Sequence, residues 1–263
     1  VPSVTALQQL LSVISGGIVG FTLGLIGGGG SILAVPLLLY VVGYRDPHVV
    51  IGTTALAVAL TAFANLLPHW RAGNVRWKPA VAFAIPGAIG AAVGASVGKA
   101  IGGKQLLFLF ALLMVVVAVN MLRQRRHATS RSERSGRTML LWVAPVSFVV
   151  GLLAGFFGIG GGFLIVPGLM FATGMPLLSA VGSSLVSVGT FGATTAITYA
   201  LAGKVNWLIA LEYFVGGALG GWLGAWLAVR LGRRKQTLTR IFAAVVLAVA
   251  VYMLAMNISA LHP

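Results

Sequence analysis

Residues 24–36 read Gly-Leu-Ile-Gly-Gly-Gly-Gly-Ser-Ile-Leu-Ala-Val-Pro, and residues 155–167 read Gly-Phe-Phe-Gly-Ile-Gly-Gly-Gly-Phe-Leu-Ile-Val-Pro. Each lies inside a long apolar stretch, where a membrane helix is expected to run. Glycine loses the most backbone entropy in a helix, so three or four in a row break it and leave peptide groups free. In a region without water such groups persist only where they are buried in protein or line a polar cavity. Two breaks at matching places in two halves point to a substrate site at the repeat interface of a transporter.

The rest of the chain agrees with a membrane setting. It is 59% hydrophobic and 8% charged, with mean hydropathy +1.01. Apolar stretches run over 10–42, 48–68, 79–98, 105–122, 140–171, 179–201, 206–229 and 238–257. Six are close to the roughly 20 residues that cross a bilayer as helix. The other two are much longer and hold the glycine clusters. Cysteine is absent, which removes disulfide and thiolate chemistry. The first basic residue is Arg45, so a cleavable leader is not expected.

The halves align over nearly their whole length. At an offset of 131, Gly20, Gly24, Pro36 and Gly43 meet Gly151, Gly155, Pro167 and Gly174. After a one-residue slip, Gly52-Thr53-Thr54 meets Gly182-Ser183-Ser184, and Ala72-Gly73-Asn74-Val75-Arg76-Trp77 meets Ala202-Gly203-Lys204-Val205-Asn206-Trp207. The chain therefore reads as repeat 1 over 1–122, a basic linker over 123–138 and repeat 2 over 139–263.

The basic residues argue for orientation. If every stretch crosses once, the 18 Lys and Arg divide 10 against 8; if each long stretch enters, breaks at its glycines and returns, they divide 14 against 4. The positive-inside rule favours the second arrangement. Each half then makes three net crossings, the repeats are inverted, the linker is cytoplasmic and both termini are outside. Residues 31–40 and 163–171 become short half-helices starting near mid-membrane.

Those half-helices would aim free N–H groups and positive dipole ends at the protein's centre, an anion site that needs no charged side chain. The residues expected to cradle the anion are Gly28, Gly29, Gly30 and Ser31 in one half and Gly160, Gly161, Gly162 and Phe163 in the other. Thr53, Thr54, Ser183 and Ser184 are expected to donate hydrogen bonds, since a hydroxyl serves an oxyanion without the desolvation of a buried charge. Asn65, Ser187 and Thr190 are secondary candidates. The spaced glycines Gly87, Gly90, Gly94, Gly217, Gly220, Gly221 and Gly224 read instead as helix packing.

Other classes fit poorly. The net charge of +15 sits between apolar segments, as membrane-flanking charge does, and no nucleic-acid partner is expected. The arginine-rich linker is a candidate contact for anionic lipid. Asp46, Glu133 and Glu212 are the only acids, and Glu212 alone falls in a span; with Lys204 two turns away, it reads as an ion pair or a snorkelling carboxylate. No metal-ligand spacing and no Ser/His/Asp set occurs in the spans, so neither enzyme activity nor a cofactor is expected.

At the glycine clusters, Pro36 and Pro167, and the Gly52-Thr53-Thr54 and Gly182-Ser183-Ser184 triplets, the chain resembles the TauE/SafE sulfite exporter family of bacterial permeases. The resemblance implies export of sulfite, a sulfonate or a related sulfur oxyanion across the bacterial inner membrane. The expectation is thus an all-α integral membrane protein of two inverted repeats, each broken or re-entrant in its first segment. It would carry a small anion by alternating access, alone or as a homo-oligomer. A passive anion channel and a non-transporting scaffold are the alternatives.

Overall fold

The computed structural model describes residues 5–123, 136–158, 162–231 and 235–257. The described residues are almost entirely helical: α1 (Ala6–Ile26), the single turn α2 (Ala34–Pro36), α3 (Pro47–Arg71), α4 (Trp77–Ala100), α5 (Gly103–Arg123), α6 (Gly136–Phe157), α7 (Gly162–Thr173), α8 (Leu177–Ala200), α9 (Trp207–Leu231) and α10 (Lys235–Asn257). Local chemistry sets the ends. Thr5 caps α1 through a reciprocal box with Gln8, and the Asp46 carboxylate accepts from the His48 and Val49 N–H groups at the start of α3.

Both glycine-bearing stretches fold as hairpins. Ala6–Val41 is 36 residues of apolar sequence, yet Gln8 Nε2 donates to the Val42 carbonyl at 3.4 Å. A straight α-helix would hold those residues about 51 Å apart. α1 therefore goes out, and a return arm of tighter 3₁₀ turns (Gly27–Leu33), α2 and one π turn (Leu37–Val41) comes back. In the second half α7 folds back on α6, with the Trp142 and Phe171 rings 5.8 Å apart. The reversals hinge on Gly27 (φ +76°) and Gly158 (φ +67°), in a left-handed region that a side chain would strain.

Packing between the halves comes in exchanged pairs. α1 lies on α9, and its counterpart α6 lies on α9's counterpart α4; α3 and α8 pack on each other, as do α5 and α10. The spaced glycines make the close contacts. A Cβ at Gly90 or Gly94 would run into the backbone of Phe148 or Leu152 on α6, and one at Gly220 or Gly224 into that of Gly17 or Phe21 on α1. Gly87, Gly217 and Gly221 are filled instead by the side chains of Phe191, Thr61 and Asn65. Apolar helices gain nothing from hiding in lipid, so close backbone approach supplies the dispersion that holds them.

Two ends of the bundle follow. Thr5, the start of α3, the 201–206 turn and Asn257 lie at one end, here the terminal end, where Asn257 Nδ2 donates to the Tyr40 hydroxyl at 3.0 Å. The 72–76 turn, the close of α5 and the start of α6 lie at the other, the linker end. Residues 124–135 of the basic linker are outside the described residues.

Candidate substrate site

The tip of the first hairpin, Gly27–Leu33, is wholly buried. It rests on the second half: the Gly28 N–H donates to Ser184 Oγ at 3.3 Å, and a Cβ on Gly27 would sit 3.0 Å from that oxygen and 3.1 Å from Val181 Cα. Ser31 Oγ donates to the Gly28 carbonyl at 2.9 Å, closing the arch on itself. Gly30 is pressed against the backbone of Thr22 and Leu23, whereas the nearest neighbour of a Cβ on Gly29 is the Ile26 side chain at 3.2 Å. Of these two glycines, Gly30 is demanded by packing and Gly29 is not.

Val181 and Ser184 are the fifth and eighth residues of α8, so the tip lies about 7–12 Å along that helix from its linker-end start. The sequence placed the break near mid-membrane; the 21 residues of α1 carry it well past the middle. In the second half a Cβ on Gly158 would run into the Ile51 side chain near the start of α3, at the terminal end, and Ile51 aligns with Val181 in the sequence. Gly160 and Gly161 lie outside the described residues, and Gly162 and Phe163 open α7.

The four expected hydroxyls are all buried, and each has a bond within the protein. Thr53 Oγ1 accepts the Asn206 N–H at 2.9 Å, and Ser183 Oγ accepts the Arg76 N–H at 2.9 Å. Each residue thus caps the helix start of the opposite half, and each pair is the repeat counterpart of the other. Thr54 Oγ1 donates to the Val50 carbonyl at 2.8 Å, and Ser184 Oγ to the Val181 carbonyl at 2.7 Å. The structure therefore brings Gly28, Ser31 and Ser184 together, and sets Thr53 with Thr54 at one end and Ser183 with Ser184 at the other.

Two further side chains meet the first hairpin from α3. His69 Nε2 lies 2.9 Å from the Gly24 carbonyl, so that nitrogen carries a proton, and Asn65 Nδ2 donates to the Gly20 carbonyl at 3.4 Å. Both are buried. His69 lies two residues from the end of α3. Its four-residue spacing from Asn65, which puts both on one helix face, was the available signal.

The charged rim is at the terminal end. Lys204 Nζ lies 3.2 Å from Asp46 Oδ2, so the lysine serves Asp46, while Glu212 takes a hydrogen bond from Gln9. Partial burial pushes the Asp46 carboxyl up, but hydrogen bonds from Lys204, Val49 and His48 and the lysine's charge outweigh it and hold the group below its ordinary value. Among the described residues no three His, Asp or Glu side chains gather as a metal site.

Among the described residues six helical stretches are long and apolar enough to cross a membrane, Pro47–Arg71, Trp77–Ala100 and Leu177–Ala200 included. Large apolar side chains such as Ile85, Ile89, Leu219 and Leu223 face outward. This is a multi-pass helical membrane protein. The family model for the sulfite exporter TauE/SafE matches residues 12–253, and the chain belongs to that family of membrane transporters. A probable membrane transporter protein of Xylella fastidiosa (strain Temecula1) is 50% identical over 250 residues, covering 94% of this chain and 96% of that protein. The probable membrane transporter protein YunE of Bacillus subtilis (strain 168) is 28% identical over 228 residues, covering 79% and 84%. No solved structure matches the chain.

Proposed function

We propose that this protein is a secondary transporter that exports a small sulfur oxyanion, such as sulfite or an organosulfonate, by alternating access between two inverted repeats. The observation that carries the reading is the buried glycine arch of one half seated on Ser184 of the other: a movement of either half changes the arch and its partner together. The anion is cradled by the backbone of Gly28, Gly29, Gly30 and Ser31 and, in the second half, by Gly160, Gly161, Gly162 and Phe163. Thr53 and Ser183 use their oxygens as acceptors and keep their protons for a ligand. Those of Thr54 and Ser184 reach a ligand by leaving their own helix carbonyls.

The linker end faces the cytoplasm of a bacterial inner membrane in this reading, with both termini outside. It is supported by the segments that meet there, which carry 14 of the 18 basic residues of the sequence. The linker arginines are offered to anionic lipid. Purified protein should bind sulfite or a sulfonate in preference to a monovalent cation in a screen of sulfite, sulfate, thiosulfate, sulfoacetate and taurine. Binding of none of these anions would overturn the substrate assignment.

A further inference from the structure

Thr195 and Tyr199 occupy one face of α8, four residues apart, and both are fully buried. Their hydroxyls have no hydrogen-bond partner among the described residues, and neither does Nδ1 of His48, whose ring stacks 6.2 Å from that of Tyr199. The repeat relation sharpens the point. The counterparts of Thr195 and Tyr199 are Asn65 and His69, which bond to the Gly20 and Gly24 carbonyls of the first hairpin. The equivalent pair in the second half donates to nothing. Buried polar groups are normally satisfied, and groups left hungry at one point of a fold mark a place that a ligand fills.

We infer that Thr195, Tyr199 and His48 form a second oxyanion-binding station toward the terminal end, distinct from the Gly28–Ser184 arch. Two unpartnered hydroxyls on one face of α8, with the His48 ring stacked on that of Tyr199, are a donor set suited to the oxygens of a small anion. Of the acids at this end, Asp46 is paired with Lys204, and Glu212 takes a hydrogen bond from Gln9 while its Oε2 is left without a partner among the described residues. In the orientation proposed above this station faces outward and holds the anion after it leaves the arch. The inference rests on the anion-transport reading and adds where the cargo is released.

Tyr199→Phe and Thr195→Val each remove one unbonded oxygen or its proton with little change of shape. Without ligand the variants should melt at or above the wild-type temperature, because a buried group without a partner is relieved. Sulfite should bind each variant about ten- to a hundredfold more weakly, as expected for one hydrogen bond to a charged ligand, and should stabilise it correspondingly less. Wild-type sulfite affinity in both variants overturns this station and leaves the arch standing. Failure of the wild type to bind any of the five anions of that screen overturns the substrate assignment, and this inference with it.

Discussion

Replacing Thr53 by valine keeps the side chain's shape and removes the oxygen that accepts the Asn206 N–H at 2.9 Å. Asn206 precedes α9, so its N–H has no carbonyl one turn back to fall on, and Thr53 itself is 1% exposed, so water is a poor substitute. An unsatisfied N–H in such a place costs about 1–3 kcal/mol, and polar contacts within membranes fall toward the lower part of that range. Taking about 1–2 kcal/mol, and about 2–4 °C per kcal/mol for a chain of this size, the melting temperature in detergent should fall by about 2–8 °C. Ser183→Ala should do the same through the Arg76 N–H. The two contacts lie at opposite ends of the bundle, so the double variant should lose the sum. Thr54→Val is the control: its hydroxyl bonds back only to the Val50 and Ile51 carbonyls of its own helix, and the shift should stay within about 1 °C. Equal shifts for Thr53→Val and Thr54→Val would refute the trans-capping argument.

Other outcomes follow from single contacts. Gly30→Ala should impair folding, because its Cβ meets the backbone of Leu23, whereas Gly29→Ala should fold, with only the Ile26 side chain to displace, and lose anion affinity; membrane yield and sulfite binding separate the two. The Asp46 carboxyl is held low in the folded state, so its contribution is complete above about pH 4, is lost as pH falls through the depressed value, and should vanish from an acid melting series in Asp46→Asn. In this cysteine-free chain, Lys104→Cys should react with an impermeant thiol reagent outside intact cells and Lys78→Cys should not; the reverse pattern inverts the assigned orientation.

The breaks were legible in the sequence because consecutive glycines inside apolar runs leave few alternatives to a turn, and Gly27 and Gly158 take it up with positive φ. The hairpins were legible for a separate reason: charge on the flanking loops constrains how often the chain can cross. What Thr53 and Ser183 touch was not legible. A hydroxyl at the start of one span gives no sign that it faces a loop 153 or 107 residues away, and without that contact both residues read as ligand donors. His69 was hidden likewise, since its partner Gly24 lies 45 residues earlier and only the hairpin brings the two together. Depth was misjudged because cluster position alone does not say how far α1 runs before it turns.

The most direct test is sulfite flux in sealed proteoliposomes holding the purified protein, measured with and without an imposed ion gradient. Sulfite should accumulate against its own gradient in the wild type, and accumulation should be lost in Gly29→Leu while folded protein remains in the membrane. Equilibration without accumulation would identify a channel. Vesicles that remain tight to sulfite and to every other sulfur oxyanion in the screen would contradict the central claim.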